Sequence, residues 1–304
     1  MRPTDKLLLI EDPSVRRITL VQRSLEGLAL GDAFGETFFG PREQVEIRLA
    51  RRETRSGVWG WTDDTAQARA LVGCLRLRGE VEPEVFCRLL SEEYQRDPSR
   101  GYGAGTHAFM GEVRRGVPWR RASPAAFEGR GSFGNGAAMR VAPLGAYFYD
   151  LPTSQLCEQA RLSAQVTHWH EEAVAGAEAV ALAAAWATRE GVGGVSMLES
   201  VRDAITPGRV RDGLSKALEV PLETTKPEEA ARVLGSGQEI AAYDTVPFTL
   251  WCAARHASSY QEALWSTVAG FGDRDTTCAI VGGIVALSSL SDFPPAWLEA
   301  REPL

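Results

Sequence analysis

Thr62-Asp63-Asp64-Thr65 and Asp273-Arg274-Asp275-Thr276 stand near opposite ends of the chain, each just ahead of an apolar stretch with helical spacing. Each packs two carboxylates and a hydroxyl into four residues. Like charges at such short range repel and raise one another's pKa. A hard divalent cation removes that cost, because Mg²⁺ or Mn²⁺ takes oxygen ligands from carboxylates, hydroxyls and water. If both clusters serve one two-metal site, segments some two hundred positions apart must meet in space. That requirement favours one helical body over two independent ones. A plainer reading fits each cluster alone: Thr62 as an N-cap, with Asp63 and Asp64 favoured in the first turn by the helix dipole, and Asp273 with Asp275 acting likewise.

Working outward, nearly every long segment has helical periodicity. Val15, Ile18, Val21, Leu25 and Leu28 follow the start signal Pro13-Ser14. The same spacing predicts helices over 66–77, 83–94, 154–164, 171–189, 246–257, 260–269 and 276–290. Sustained alternation of polar and apolar residues is almost absent, so no sheet is expected. Gly and Pro punctuate the chain at Gly40-Pro41, Gly101 to Gly103, Gly129 to Gly136, Gly191 to Gly194 and Pro207-Gly208. The expectation is a single compact all-α domain spanning residues 1–304.

The 304 residues suffice for a sizeable core, and 44% hydrophobic with 24% charged residues is ordinary for a globular protein. A net charge of −7 argues against a partner bound by broad phosphate neutralisation, so nucleic acid is not expected. Five cysteines (Cys74, Cys87, Cys157, Cys252, Cys278) are widely spaced with no C-x-x-C, which reads as a reducing compartment. Leu7-Leu8-Leu9-Ile10 is too brief for a signal peptide, and the uncharged run Thr276 to Ser291 is too short for a membrane span. These features predict a cytoplasmic protein with no membrane partner.

Three further segments bear on chemistry. Gly131-Ser132-Phe133-Gly134-Asn135-Gly136 holds three glycines in six residues, so its backbone can approach a phosphate, while Phe133 can stack on a base and Ser132 and Asn135 offer hydrogen bonds. The same segment also reads as a loop leading into a small-residue helix from Gly136. Thr167-His168-Trp169-His170 carries two histidines that cannot share a helix face, which argues against zinc; His107 and His256 read as structural. Gly27 to Glu36 ends the first helix with small residues and acids. Close helix packing, with Asp32 bonding neighbouring backbone, accounts for that stretch better at Asp32 than at Glu36.

Together these motifs resemble the ADP-ribosylglycohydrolase family, which includes the dinitrogenase reductase-activating glycohydrolases and the ADP-ribosyl-acceptor hydrolases. The resemblance rests, in order, on Gly31-Asp32-Ala33-Phe34-Gly35, Trp61 to Thr65, Gly131 to Arg140, Thr167-His168, and Gly272 to Thr276 running into Ala279-Ile280-Val281-Gly282-Gly283. It implies an orthogonal helical bundle with two Mg²⁺ or Mn²⁺ ions per chain. By motif, the implied ligands are Thr62, Asp63, Asp64, Asp273, Asp275 and Thr276. Ser132, Phe133, Gly134, Asn135 and Gly136 would cradle the diphosphate and adenosine side of ADP-ribose, and His168 would look toward the phosphates or the distal ribose.

Two departures from the family pattern stand out. Many members carry a Glu four residues after the last Gly of the GDAxG motif, where this chain has Phe39 and its nearest acid is Glu36. Arg274 lies between two aspartates, where it could offset their repulsion, reach a substrate phosphate, or compete with metal for the same oxygens. The expected reaction is metal-assisted hydrolysis at C1″ of an ADP-ribosylated protein or small molecule, releasing ADP-ribose. Asp64 or Asp273 would take a proton from water, and Glu36 would be the acid/base. A non-catalytic ADP-ribose reader and a metal-dependent phosphohydrolase are the rivals. The acceptor linkage stays open, and Arg48, Arg51, Arg52 and Arg55 read either as its rim or as solvated surface.

Overall fold

The first helix, α1 (Pro13–Glu36), starts where the Asp12 carboxylate accepts from the amides of Ser14 and Val15, with Pro at the first helical position. In the computed structural model, residues 9–10, 12–189, 193–288 and 292–304 are described. The chain continues through α2 (Arg42–Arg51), α3 (Asp63–Arg78), α4 (Pro83–Arg96), α5 (Ala104–Arg114) and α6 (Trp119–Gly129), which is kinked at Ala126 to Glu128. Next come α7 (Gly136–Met139), α8 (Ala142–Tyr147), α9 (Thr153–Gln165), α10 (Glu171–Ala187), α11 (Val195–Ala204) and α12 (Arg209–Glu219). The last are α13 (Pro227–Leu234), α14 (Ala242–Arg255), α15 (Tyr260–Val268), α16 (Arg274–Ser288) and α17 (Pro295–Ala300).

The fold is an all-α bundle, as expected. Its eight strongly periodic helices form where their spacing placed them, although positions 289 and 290 of the 276–290 expectation lie outside the described residues. Among the described residues there is no strand, only isolated bridges pairing Trp59 with Arg301 and Gly134 with Ala241. The helix expected to open at Thr276 begins at Arg274, which brings Asp275 into its first turn. No described helix is long and apolar enough to cross a membrane. All five cysteines are free, and only Cys157 is less than fully buried.

Two contacts fix the frame around the acids. α1 and α16 run antiparallel and touch backbone to backbone. A Cβ built on Gly27 would lie 2.5 Å from the Gly282 carbonyl oxygen, one on Gly31 2.1 Å from that of Cys278, and one on Gly35 2.1 Å from that of Arg274. Ser24 Oγ also donates to the Gly283 carbonyl at 2.8 Å. Only the bare glycine face permits this approach, and it sets the start of α16 beside the end of α1. α10 is apolar on nearly every side and almost wholly buried, as a central helix must be. The C-terminal tail then returns to the segment before α3: Trp59 N donates to the Ala300 carbonyl at 2.7 Å, and Glu302 N donates to the Trp59 carbonyl at 2.9 Å. Phe34 stacks on Trp297 at 4.5 Å beneath this junction.

Candidate active site

Asp32, on the last turns of α1, is completely buried and accepts from Thr62 N at 2.9 Å, Thr62 Oγ1 at 2.9 Å, Thr65 N at 3.1 Å and Thr65 Oγ1 at 2.5 Å. Thr62 does stand at the N-cap position of α3, but its side chain makes no capping bond. The cap comes instead from Asp32, one helix away. Burial drives the Asp32 carboxyl up to about 6 against those four bonds. Asp63 and Asp64 do lie in the first turn of α3, while the amides of Thr65 and Asp63 are served from outside, by Asp32 and by the Arg100 carbonyl. Thr62 Oγ1 also lies 3.0 Å from Asp64 Oδ2. A hydroxyl has one proton, so it serves Asp32 or Asp64 but not both.

Asp63 is positioned through a chain of polar contacts. Its Oδ2 accepts from Gln67 Nε2 at 2.7 Å, and Gln67 Oε1 accepts from Arg140 Nη1 at 2.8 Å. Arg140 is fully buried, donates to the Ser163 carbonyl at 2.7 Å and lies over the Phe86 ring at 4.9 Å. Burial lowers its pKa to about 9, with Asp63 opposing, so it remains a cation behind the acid. Burial pushes the Asp63 carboxyl up to about 7, aided by Asp32 and Asp273.

The second cluster joins the first from the start of α16. Asp273 Oδ2 accepts from Asn135 Nδ2 at 2.7 Å, and the same amide donates to Thr245 Oγ1 at 3.1 Å. Asn135 therefore ties the glycine-rich loop to the acids. Asp275 retains some exposed surface, yet its Oδ1 is buried without a hydrogen-bond partner, as is Oδ1 of Asp64. Both carboxyls are held well above the ordinary range, by burial first and then by neighbouring acids: Asp32 and Asp275 around Asp64, Asp273 and Asp32 around Asp275. Thr276 Oγ1 lies 3.9 Å from Met139 Sδ. Among the described residues, no three His, Cys, Asp or Glu side chains are grouped so as to hold a metal ion as they stand. In type the donors fit a hard cation: they are all oxygen, two are buried without partners, and all are crowded by like charge.

The segment 131–136 closes one side. Gly131 has φ +74, and a Cβ there would lie 2.7 Å from that of Trp169. Gly134 and Gly136 lie over the His168 ring, where added Cβ atoms would fall 3.3 and 3.0 Å from Nε2. His168 is buried, with Nδ1 2.7 Å from Thr167 Oγ1, and burial followed by the Arg140 charge lowers it to about 3. It is a neutral imidazole beneath the loop. Gly134 N bonds Ser132 Oγ at 3.2 Å. Phe133 has Phe127 at 5.6 Å and Tyr243 at 6.1 Å, forming an aromatic wall. His170 caps α10, accepting from Glu172 N at 3.1 Å.

Glu36 closes α1 on the other side. Its surface is exposed, but protein crowds it enough that desolvation, then Asp32, raises its carboxyl against Arg55 and Arg274. Phe39 is half exposed, with the Arg274 guanidinium 4.7 Å above its ring. Arg274 Nη1 donates to the Phe38 carbonyl, so the arginine turns away from the aspartates on either side of it. It does not occupy their oxygens. Two cavities, of about 440 Å³ beside Trp61 and Arg100 and about 640 Å³ beside Arg209 and Tyr243, flank the acids without including them.

Gln67 and Arg100 were not singled out by sequence reasoning, Arg140 appeared only as the end of the glycine-rich motif, and Asp32, read as a packing residue that bonds backbone nearby, does bond the amides of Thr62 and Thr65. The available signals were the invitation of Asp32 within Gly-Asp-Ala-Phe-Gly, the four-residue step from Asp63 to Gln67, and a charge ending the small-residue run at Arg140. The bundle is all-helical, and it brings the two acid clusters together at the starts of α3 and α16. A family model described as ADP-ribosylglycohydrolase matches residues 13–303, and the chain belongs to that family. It is a glycohydrolase acting on ADP-ribosylated substrates. The chain is similar to the human ADP-ribosylhydrolase ARH3, at 29% identity over 95% of this chain and 91% of that protein. It is 31% identical to the Mus musculus ADP-ribosylhydrolase ARH3 over 95% and 89% of the two chains. A solved structure described as an ADP-ribosylglycohydrolase-related protein complex superposes with TM-score 0.66 at 27% identity, covering 94% of this chain and 93% of its own.

Proposed function

We propose that the protein hydrolyses the glycosidic bond at C1″ of the distal ribose in an ADP-ribosylated protein or small molecule. The observation that carries this reading is the meeting of Asp63, Asp64, Asp273 and Asp275 in one neighbourhood, where burial first and then neighbouring acids hold the Asp63, Asp64 and Asp275 carboxyls above their ordinary range. Thr62, Asp63, Asp64, Asp273, Asp275 and Thr276 would hold two Mg²⁺ or Mn²⁺ ions. When bound, such ions lower the pKa of water and offset developing negative charge. The remaining roles belong to side chains. Asp64 or Asp273 accepts a proton from a water whose oxygen forms the new bond to C1″. The bond from C1″ to the acceptor breaks, and the Glu36 carboxyl, raised by its surroundings, protonates the departing acceptor atom.

Ser132, Gly134 and Gly136 line the diphosphate, with His168 neutral beneath them, and Phe133 with Phe127 flanks the base. The whole chain acts as one unit in this reading, supported by the joining of its two ends at one site. Five free thiols support a cytoplasmic location. The test is release of free ADP-ribose with each metal by the wild type, Asp63→Ala and Asp273→Ala, with fold checked by circular dichroism. Turnover retained in both variants removes the mechanism. AMP with ribose 5-phosphate as products would point to a phosphohydrolase, and tight ADP-ribose binding without turnover to a reader.

A further inference from the structure

The five residues leading into α3 are irregular backbone, and an irregular segment needs its hydrogen bonds supplied from elsewhere. On one side Asp32 supplies them. On the other, the supplier is Arg100 together with the tail. Arg100's carbonyl accepts from Asp63 N at 2.7 Å, and its Nη1 donates to the Trp61 carbonyl at 2.9 Å. Its guanidinium lies 3.7 Å over the Trp61 ring and forms a two-pronged pair with Glu302, both contacts at 2.7 Å. Trp61 Nε1 donates to the Pro303 carbonyl at 3.1 Å, and Arg301 ties the tail back to Glu26 on α1 at 2.7 Å. The next residue, Gly101, takes φ +87 and brings the backbone to within a Cβ's 3.8 Å of Asp63 Oδ1.

We infer that the Arg100–Glu302 pair is a positioning device that sets the Thr62–Asp64 turn for metal. One residue, Arg100, touches the turn with both main chain and side chain, and Glu302 fixes that side chain. A planar fork over an indole cannot be replaced by a point charge without loss of geometry. The pair touches no reacting atom in the proposed reaction. It acts through Trp61 and Asp63. This inference rests on the proposed two-metal reading, so its test separates the two.

Mn²⁺ titration of the purified protein is compared for the wild type, Glu302→Gln, Glu302→Asp and Arg100→Lys, alongside kcat, KM and melting temperature. Glu302→Gln is expected to weaken Mn²⁺ binding about tenfold, the size seen when partners of metal ligands are removed. kcat should fall while KM for the ADP-ribosylated substrate stays near the wild-type value, and Glu302→Asp should recover most of the affinity. Arg100→Lys should behave like Glu302→Gln. If Mn²⁺ affinity stays within twofold of wild type in Glu302→Gln and Arg100→Lys, or if only the melting temperature moves, the positioning role is overturned and the hydrolase reading stands. A wild type that takes up no Mn²⁺ overturns the metal reading and this inference with it.

Discussion

The acidic clusters differ in how they are held. Thr62 to Thr65 is gripped from three directions, by Asp32, Gln67 and the Arg100 carbonyl. Asp273 to Thr276 has one side-chain donor, Asn135, on its first acid, bonds from Asp273 N to the Ser236 carbonyl and from Arg274 to the Phe38 carbonyl, and the close packing of α16 against α1. The first cluster is held mainly by polar contacts from several elements, the second mainly by the packing of its helix on α1. Disturbing either kind of support should therefore damage the site in a recognisably different way.

The largest effect is expected from Asp32→Ala, which strips the acceptor from two buried amides and two hydroxyls. Each orphaned group costs about 1–3 kcal/mol, and ADP-ribose release should fall below measurement in urea-calibrated, still-folded protein. Activity above a tenth of wild type would show that α3 does not need its external cap. Gly31→Ala attacks the other support by forcing a methyl group 2.1 Å from the Cys278 carbonyl oxygen. Helix separation should cost about 3 kcal/mol in denaturant melts, with the acids of α16 displaced and turnover reduced in the folded fraction.

pH sharpens the comparison further. The Asp63 carboxyl sits at about 7 in the folded chain against an ordinary 3.8. A raised carboxyl contributes stability while protonated, so that contribution is complete below about pH 4 and is lost as pH rises through 7. Metal-free protein should thus melt lower at pH 8 than at pH 5, and Mn²⁺ should raise the melting temperature more at pH 8. A flat or opposite trend by scanning calorimetry would contradict the buried acid cluster. The smallest effect is expected at Arg274→Gln, because the guanidinium faces Phe39 and the Phe38 carbonyl. kcat/KM should change less than about threefold, with roughly 1 kcal/mol lost from the cation–π contact.

Much of this was legible beforehand because it is local. Periodicity gave the long helices, and both acid clusters lie in short motifs that need no partner to be noticed. The close packing of Gly27 to Gly35 was readable in kind, though nothing in those residues says that α16 is what they touch. Arg140, though it ends the glycine-rich motif, and Arg100 gave no sign of their roles for the same reason: a single cation gives no hint that its partners are Gln67 or Glu302, many positions away. The short helix α7 matches the small-residue helix read from Gly136, whereas α2, α5, α6, α8, α11 to α13 and α17 were not expected as elements because few residues carry each pattern. Asn135 was legible as polar and near a ligand, but not as the link between the loop and Asp273.

The glycine seam between α1 and α16 has a consequence for how the molecule is made. α1 leaves the ribosome well before α16, so the bare seam of α1 travels uncovered while everything between is synthesised. A nascent chain arrested before α16 should be inert and prone to chaperone capture, and catalytic competence should arrive abruptly once α16 has emerged.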